Sequence, residues 1–258
     1  MRVAALYDIH GNLRALEAVL ADVVSSGVDR VVVGGDTVPG PWPRKTLDRL
    51  LALDLPIQFI HGNCERSVLA QMAALTGAPV TYWGTTSGKP LPEKDQAIMR
   101  WTAAQLGPDD ERLFAAWPRT LRLSIDGLGD VLFCHATPRS ETEIFTRLTP
   151  EERLLPLFQS LGVSLVVCGH THMQFDRMVG KTRVVNSGSV GAPIGQTGAF
   201  WTLLGPGVEH RRTRYDLERT AEEIRGTRHP QAAEQAKNLL DPPNEEETLA
   251  LFESFAVK

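Results

Sequence analysis

Short apolar runs alternate with amphipathic segments through the first half of the chain. The runs RVAALY (2–7), RVVVGG (30–35) and PIQFIH (56–61) are apolar or β-branched and too short for helices, so each predicts a buried strand. Residues 13–27 and 44–55 lie between these runs and place leucine and valine at helical spacing. The alternation predicts βαβ units with right-handed crossovers around a buried parallel sheet.

The pattern changes after residue 75. The stretch from Thr76 to Asp95 is rich in glycine, proline and threonine, with Tyr82 and Trp83 at its centre, and predicts a long loop or a small hairpin. Two helical stretches follow, at about 94–106 and 108–116. Seven β-like runs then occur at intervals, several joined by tight glycine turns, so the second half is expected to be hairpin-rich and antiparallel.

The pattern indicates one α/β domain over residues 1–225, followed by a C-terminal segment, residues 226–258. Its first part, residues 226–247, is polar and rich in proline. A final amphipathic turn or two carries the apolar residues Leu249, Leu251, Phe252 and Phe255. We expect this short helix to pack on the same domain, with docking on a partner subunit as the alternative.

Composition narrows the class of protein. The chain has 258 residues, 42% of them hydrophobic and 22% charged, and a net charge of −4, which gives no electrostatic reason to bind nucleic acid or membranes nonspecifically. The N-terminal apolar run is broken by Asp8 and His10, so we expect neither a signal peptide nor a membrane span. The three cysteines, Cys64, Cys134 and Cys168, form no close pair and suggest reduced thiols in the cytoplasm.

Metal-binding residue types collect where the predicted strands end. Five of the seven histidines lie there, namely His10, His61, His135, His170 and His172, together with Asp8, Asp36 and Asn63. Ligands of α/β sheets bind outside the carboxyl ends of the strands, so these residues are expected to converge. Carboxylate, imidazole and amide donors suit divalent Mn, Fe, Co, Ni or Zn. Without His61 there are seven donor residues, enough to bind two ions about 3.5–4 Å apart. Such a pair of ions activates a water molecule and binds the oxygens of a phosphoester.

Each of these residues also has an ordinary structural interpretation. A lone histidine at a strand end, such as His61, is more often a hydrogen-bonded structural residue than a ligand. Asp36 alone could cap a turn, and the glycines around it lack both the G-x-G-x-x-G spacing and the Walker lysine. The joint pattern favours a metal site, because five separate strand-end loops each present a suitable donor.

Five motifs in fixed order carry a family resemblance: DIHGN, GGDTVPGP, GNCE, CHATP and GHTH. Together they resemble the calcineurin-like metallophosphoesterase superfamily, and most closely its small prokaryotic phosphodiesterase branch, over about residues 2–215. The segment NSGSVG (186–191) is similar to a turn of that branch. The resemblance implies a four-layer α/β/β/α sandwich of two mixed β-sheets with a dinuclear metal site at the strand ends.

The resemblance also implies which residues bind each ion. The first metal would be held by Asp8, His10, Asp36 and His172, and the second by Asp36 as a shared bridge with Asn63, His135 and His170. The cofactors implied are two divalent transition-metal ions, with manganese the first choice and Fe, Co, Ni or Zn the alternatives. Asn12 is expected to shape the pocket beside them.

Cys64 departs from the family pattern, since many members have a histidine there that assists the leaving group. A neutral thiol is a weaker proton donor than that histidine. The sequence therefore predicts a preference for good leaving groups, with His61 as another candidate proton donor.

Arg139 is a candidate phosphate contact, with a solvated loop cation as the alternative. Tyr82 and Trp83 could stack a base or aryl group, or belong to a surface hairpin anchored in the core by the tryptophan.

The function implied is hydrolysis of phosphodiester or phosphoanhydride bonds in small nucleotide-like substrates, by attack of a metal-bridging hydroxide. Two alternatives stay open: a phosphomonoesterase or protein phosphatase, and a metal-binding interaction module with little activity. The expected partner is a small phosphorylated substrate. The acidic chain argues against long nucleic acid, and a homo-oligomer stays open.

Overall fold

The computed structural model describes all 258 residues, and its first part follows the predicted alternation of strands and helices. In chain order the elements are β1 (Val3–Leu6), α1 (Leu13–Ser25), β2 (Arg30–Val33), α2 (Pro43–Leu51), β3 (Ile57–Phe59), α3 (Asn63–Leu75), α4 (Glu93–Ala103) and α5 (Pro108–Ala116). No strand forms between α3 and α4. Of the two predictions for this stretch, the loop is therefore correct.

The second part begins with a hairpin and ends in three helices. Its elements are β4 (Thr120–Ile125), β5 (Gly129–Cys134), α6 (Glu151–Phe158), β6 (Leu165–Cys168), β7 (Phe175–Val179), β8 (Thr182–Asn186), β9 (Ala199–Leu204), β10 (Val208–Thr213), α7 (Leu217–Arg225), α8 (Ala232–Leu240) and α9 (Glu245–Phe255). None of the helices combines the length and apolar character needed to cross a bilayer.

The strands form two five-stranded mixed sheets. The first has the order β10-β9-β1-β2-β3, with β1, β2 and β3 parallel, as predicted. The second has the order β4-β5-β6-β8-β7, in which the edge strands β4 and β7 are antiparallel to their neighbours. Its central strands β5, β6 and β8 are parallel, so the antiparallel prediction is wrong there. The reason is that α6 provides a crossover between β5 and β6.

Alternating side chains along the strands build the layers. In β2, Val31 and Val33 pack toward α1, whereas Val32 faces the second sheet. In β6, Leu165 and Val167 face the first sheet, whereas Val166 packs with α6 on the outside. This period of two gives each sheet two buried faces. The fold is therefore the four-layer α/β/β/α sandwich expected from the sequence.

The C-terminal segment is more helical than its composition indicates. Helix α8 lies within the stretch that is polar and rich in proline, and packs against α7 through Ala221, Ile224, Ala236 and Leu239. Ala236 and Leu239 are apolar and three residues apart, a helical spacing that could have predicted α8 from the sequence.

Helix α9 does not bury its whole apolar stripe. Leu249 is buried, whereas Leu251 and Phe255 are exposed. The end of the chain is fixed by Val257, whose N–H donates to the carbonyl oxygen of Ile144 (2.9 Å). The domain boundary at residue 225 stays a prediction.

Two adjacent leucines of α2 test the packing of the outer layer. Leu50 is fully buried in the core cluster with α1, whereas Leu51 is 46% exposed. Leu50→Ala should lower the free energy of unfolding by about 2–5 kcal/mol, because it removes buried contacts and leaves a cavity. Leu51→Ala, the matched control, should change it by less than about 0.5 kcal/mol. Equal effects in urea unfolding would contradict this packing.

Candidate metal centre

An unusual backbone conformation marks the predicted metal ligands. Only five non-glycine residues have a positive φ: Asp8 (+53°), His10 (+47°), Asp36 (+53°), His170 (+67°) and His172 (+61°). All five belong to the seven predicted ligands. The left-handed region costs a non-glycine residue about 1–2 kcal/mol, and such strain concentrates at functional sites. The fold therefore holds these loops in unfavourable conformations that direct their side chains to one place.

The carboxylate of Asp8 lies at the centre of a group of imidazoles. Its Oδ1 is 3.4 Å from His172 Nε2, 3.9 Å from His135 Nε2 and 4.0 Å from His10 Nε2. The other oxygen, Oδ2, accepts the backbone N–H of His170 (2.8 Å). Oδ1 itself is buried and has no hydrogen-bond partner. An unpartnered, buried carboxylate oxygen among imidazoles is what a cation site requires.

Asp36 faces the same imidazoles from the neighbouring loop. Its Oδ2 is 3.5 Å from His135 Nε2 and 3.9 Å from His10 Nε2. Its Oδ1 accepts the backbone N–H of Cys64 (2.9 Å). Asn63 Oδ1 approaches His135 Nε2 to 3.0 Å. Asp36 thus lies between the two groups of predicted ligands, the position that a bridging carboxylate requires.

Backbone carbonyls fix the orientation of two histidines. His172 Nδ1–H donates to the oxygen of Ala192 (2.7 Å), and His135 Nδ1–H donates to that of Gly34 (2.9 Å). Because a carbonyl only accepts, both Nδ1 atoms carry the proton and both Nε2 atoms are left for a ligand. His10 Nε2 lies 3.1 Å from His172 Nε2. These donor atoms all point into one small volume.

The pKa values in the site follow from burial and from neighbouring charges. Burial lowers the pKa of His170 to about 4, with repulsion from His135 in the same direction. Burial also lowers the pKa of His10. Burial opposes ionisation of Asp8, but its imidazole neighbours, His172 foremost, hold its pKa below the usual value. Neutral imidazoles beside an ionised carboxylate are the protonation states that a divalent cation needs.

His135 and His172 differ from the other two histidines. Burial would lower their pKa values, but the carboxylates outweigh it, Asp36 foremost for His135 and Asp8 for His172, so both values are raised. Three sets of donor atoms each lie within 4.8 Å of one another: Asp8, His10 and His172; Asp8, Asp36 and His135; and His10, Asp36 and Cys64. The chemistry and spacing of these donors fit the divalent ions that the sequence implies.

Glu65 is a buried residue of this site that the sequence reasoning missed. Its Oε2 accepts the backbone N–H groups of Asp36 (2.9 Å) and Gly62 (2.8 Å), and its Oε1 accepts that of Thr37 (2.6 Å). Burial, with Asp36, raises its pKa to about 7. Glu65 thus ties together the loops that present Asp36 and Asn63. Glu65 is the third residue of α3, and Gly62 is the residue that precedes the helix. A glutamate at this position often caps the helix N-terminus, and this pattern could have revealed the role of Glu65 from the sequence.

Cys64 and His61, the two candidate catalytic residues, lie on either side of Gly62-Asn63. Cys64 is buried, and burial together with Asp36 raises the pKa of its thiol, which is therefore neutral. Burial lowers the pKa of His61, and its Nδ1 is buried without a partner. The catalytic roles of both residues stay predictions.

Two of the predicted substrate-binding residues, Asn12 and Arg139, have hydrogen-bond partners within the protein. Asn12 Oδ1 caps α1 through the N–H of Ala15 (3.1 Å), and its Nδ2 donates to Gly191 O (3.1 Å). The exposed Arg139 pairs with Glu143, Nε to Oε1, at 2.8 Å. Their roles toward a substrate stay predictions.

The loop between α3 and α4 reaches the site through its backbone. Gly84 O accepts a hydrogen bond from Asn63 Nδ2 (3.2 Å), which leaves Asn63 Oδ1 directed at His135. Tyr82 O–H donates to Glu141 (2.8 Å), and Arg66 stacks 4.1 Å above the tyrosine ring. Trp83 is partly exposed rather than a core anchor. The substrate roles of the two aromatic residues also stay predictions.

Comparison with known proteins gives the family and the fold. The family model of the calcineurin-like phosphoesterase superfamily domain matches residues 1–204. The uncharacterized protein MJ0912 of Methanocaldococcus jannaschii is 26% identical over 250 residues, which cover 89% of this chain and 94% of that protein. This chain therefore spans nearly the whole length of that relative.

Two solved structures share the fold. The hypothetical protein PH1004 of Pyrococcus horikoshii OT3 superposes with a TM-score of 0.76 at 20% identity, covering 92% of this chain and 97% of that one. A metallophosphoesterase from Sphaerobacter thermophilus has a TM-score of 0.70 at 23% identity, covering 93% and 98%. The resemblance stated from the motifs is thereby confirmed at the level of the superfamily.

Replacing Glu65 tests whether its carboxylate holds the two loops. Glu65→Ala should lower the free energy of unfolding by about 2–4 kcal/mol, because four buried N–H groups, those of Asp36, Thr37, Val38 and Gly62, lose their acceptor. Urea unfolding of the metal-free protein measures this effect. Glu152→Ala, an exposed glutamate in the first turn of α6, is the control and should change it by less than about 0.5 kcal/mol. A Glu65 variant as stable as that control would show that the loops are held by other contacts.

Proposed function

This chain belongs to the calcineurin-like phosphoesterase superfamily, and from that premise we propose that it hydrolyses phosphodiester or phosphoanhydride bonds of small nucleotide-like substrates with two bound metal ions. One observation carries the proposal: the donor atoms of Asp8, His10, Asp36, His135 and His172 form sets within 4.8 Å, and Asn63 and the His170 ring lie beside His135. Five of these seven residues have left-handed backbone. Backbone strain of this kind concentrates at functional sites and here supports a retained metal site.

The metal ligands are proposed as the sequence implies them. Asp8, His10, Asp36 and His172 would hold the first ion, and Asp36, Asn63, His135 and His170 the second. Such ions supply an activated water at neutral pH and stabilise negative charge on phosphoryl oxygens. Manganese is the first candidate, since mixed carboxylate and imidazole donors suit it, and Fe, Co, Ni and Zn are the alternatives.

The chain's own residues position the reaction. Asp8 and Asp36 place two buried carboxylates in the site, and these would repel a phosphate ester unless cations neutralise them. The Ala192 and Gly34 carbonyls keep His172 and His135 oriented, and Glu65 keeps the Asp36 loop in place. We propose that substrate binding therefore depends on metal loading.

The loop that follows β3 offers only a weak proton donor to the leaving group. The neutral thiol of Cys64 lies where many relatives have an imidazole, and its raised pKa makes it a weak proton donor. We propose that the rate falls as the leaving group becomes a poorer one, and that aryl and cyclic diesters or anhydrides are cleaved faster than alkyl esters.

Removing one candidate ligand tests the metal dependence. The protein loaded with manganese should hydrolyse bis-p-nitrophenyl phosphate, and Asp8→Asn should lower kcat/KM about 100-fold or more, with less bound metal by elemental analysis. Asp54→Asn, an exposed aspartate outside the site, is the control and should leave both unchanged. Activity that survives both a chelator and Asp8→Asn would exclude the proposed mechanism.

The same assay with p-nitrophenyl phosphate separates diester from monoester hydrolysis. We expect the higher kcat/KM for the diester. A clear preference for the monoester would support the phosphomonoesterase alternative. Absence of hydrolysis with every metal tested, in protein that binds no metal, would favour the interaction module.

Cys64→His tests the leaving-group argument. The variant should bind the same amount of metal, because Asn63 supplies the proposed ligand of this loop. Its rates over a series of aryl phosphodiesters should depend less steeply on the pKa of the leaving group, because imidazolium can donate the proton. Cys64→Ser, which restores no such acid, is the control. Loss of metal from Cys64→His would show that the loop has been misinterpreted.

A further inference from the structure

The loop between α3 and α4, residues 76–92, contacts the candidate metal centre although none of the proposed ligands belongs to it. The contact is the hydrogen bond from Asn63 Nδ2 to the carbonyl oxygen of Gly84 (3.2 Å). An amide side chain has an acceptor oxygen and a donor nitrogen that exchange places when the group turns by half a rotation, and only the oxygen can bind a cation. The orientation of this amide therefore decides whether Asn63 offers a ligand at all.

His135 favours the opposite orientation of the amide. Its Nδ1–H donates to Gly34 O (2.9 Å), so in the neutral imidazole Nε2 is an acceptor. Asn63 Oδ1 lies 3.0 Å from that Nε2, which places two acceptors opposite each other. If the amide turned, its N–H₂ group would lie there and donate to Nε2. In metal-free protein, some other contact must therefore prevent this turn.

The carbonyl of Gly84 provides that contact. A carbonyl oxygen only accepts, so it binds the amide nitrogen and leaves Asn63 Oδ1 directed at the centre. The other neighbour of Nδ2 is Cys64 Sγ at 3.6 Å, which is a weak acceptor. The position of Gly84 O therefore determines the orientation in which Asn63 can bind a cation.

This close approach of the loop requires glycine at position 84. Gly84 has a φ of +66°, and a Cβ there would lie 2.4 Å from Ser67 Oγ and 3.1 Å from Asn63 O. Ser67 is buried, and its hydroxyl donates to Asn63 O (2.9 Å), so it has little room to move aside. A side chain at position 84 would push the loop away from α3 and its carbonyl away from Asn63 Nδ2.

Two hydrogen bonds on either side of Gly84 fix the loop to the segment that follows β5. Tyr82 O–H donates to Glu141 Oε1 (2.8 Å), and Thr86 Oγ1–H donates to the carbonyl oxygen of Thr142 (2.5 Å). The Glu141 side chain is 4% exposed, so this anchor is shielded from water. The loop is thus held at both ends of the short stretch that carries Gly84.

We propose that the loop between α3 and α4 is a positioning element for the second metal ion, and that it acts through Gly84 O on the amide of Asn63. When the loop is displaced, the amide turns and the second ion loses one ligand. None of the proposed ligands of the first ion is hydrogen-bonded to the loop, so the first ion keeps its site. This proposal rests on the ligand role proposed for Asn63 above, but it concerns metal binding and not the reaction that follows.

Two glycines of the loop provide a matched pair of variants. Gly84 and Gly88 both have left-handed backbone (φ +66° and +67°), so alanine is strained at both, but a Cβ at Gly88 has no atom within 4 Å. Isothermal titration of metal-free protein with Mn²⁺ should give two ions per wild-type chain. Gly84→Ala should raise the dissociation constant of the second ion about 10–100-fold and leave that of the first unchanged. Gly88→Ala should bind both ions like the wild type.

Two adjacent threonines provide a second pair, which decides the question if Gly84→Ala does not fold. Thr86→Val removes an anchor of the loop, whereas Thr85→Val removes only a hydrogen bond within it, to Lys89 O (2.8 Å). Thr86→Val should raise the dissociation constant of the second ion about threefold or more, and Thr85→Val should not change it. Tyr82→Phe keeps the aromatic ring but loses the bond to Glu141, and should behave like Thr86→Val.

Electron paramagnetic resonance gives an independent measurement. At two Mn²⁺ per chain, Gly84→Ala should show a larger signal from uncoupled Mn²⁺ than Gly88→Ala, because fewer chains hold the complete ion pair. Loss of both ions from Gly84→Ala would show that the glycine only stabilises the fold, and would overturn the proposal.

The remaining outcomes separate this proposal from the proposed function. Equal binding of the second ion by Gly84→Ala and Gly88→Ala, in a protein that hydrolyses diesters with two ions, refutes the positioning role alone. Selective loss of the second ion from Gly84→Ala, in a protein that hydrolyses no phosphoester, supports the positioning role and refutes the proposed function. A wild-type protein that binds only one ion refutes both.

Discussion

Two buried carboxylates, those of Asp8 and Asp36, impose the main physical constraint on this molecule. Removing a carboxylate from water costs several kcal/mol, and the cost is offset only where charges and hydrogen bonds surround it. Here the backbone N–H groups of His170 and Cys64 bind the outward oxygens, and imidazoles face the inward ones. The strand-end loops accept left-handed backbone to make this possible, and the donor set that results is suited to cations.

The glycines in the motifs follow from the same constraint. A Cβ at Gly62 would lie 2.1 Å from Asp36 Oδ1, and one at Gly169 would lie 2.5 Å from Asp8 Oδ2. Any larger residue would push the carboxylate away from its imidazoles. The Gly-Asn and Gly-His pairs are therefore packing requirements of the buried charge, in addition to presenting the ligands that follow them.

Two parts of the chain surround the candidate metal centre. The sandwich provides the charged site at the carboxyl ends of its parallel strands. This part of the chain matches the family model. Helices α7 and α8 pack on each other beyond that region and contribute Ile224, Glu234 and Leu239 to the lining of a cleft beside the candidate metal centre. The family core thus carries the proposed reaction, and the C-terminal segment forms part of the cleft next to it.

The sequence by itself determined the order of the first strands, through short periodic patterns, and the donors expected to converge at the strand ends. The sandwich was implied by the family resemblance that five short motifs carry. Only the tertiary structure decided the parallel centre of the second sheet, the clamp formed by Glu65 and the cleft lined by α7 and α8. The capping bond from Gly62 to Glu65 is local, but Asp36 and Thr37, which Glu65 also binds, lie far from it in sequence, and no local pattern encodes those contacts. The same holds for Tyr82, whose hydrogen bond to Glu141 joins residues far apart in sequence.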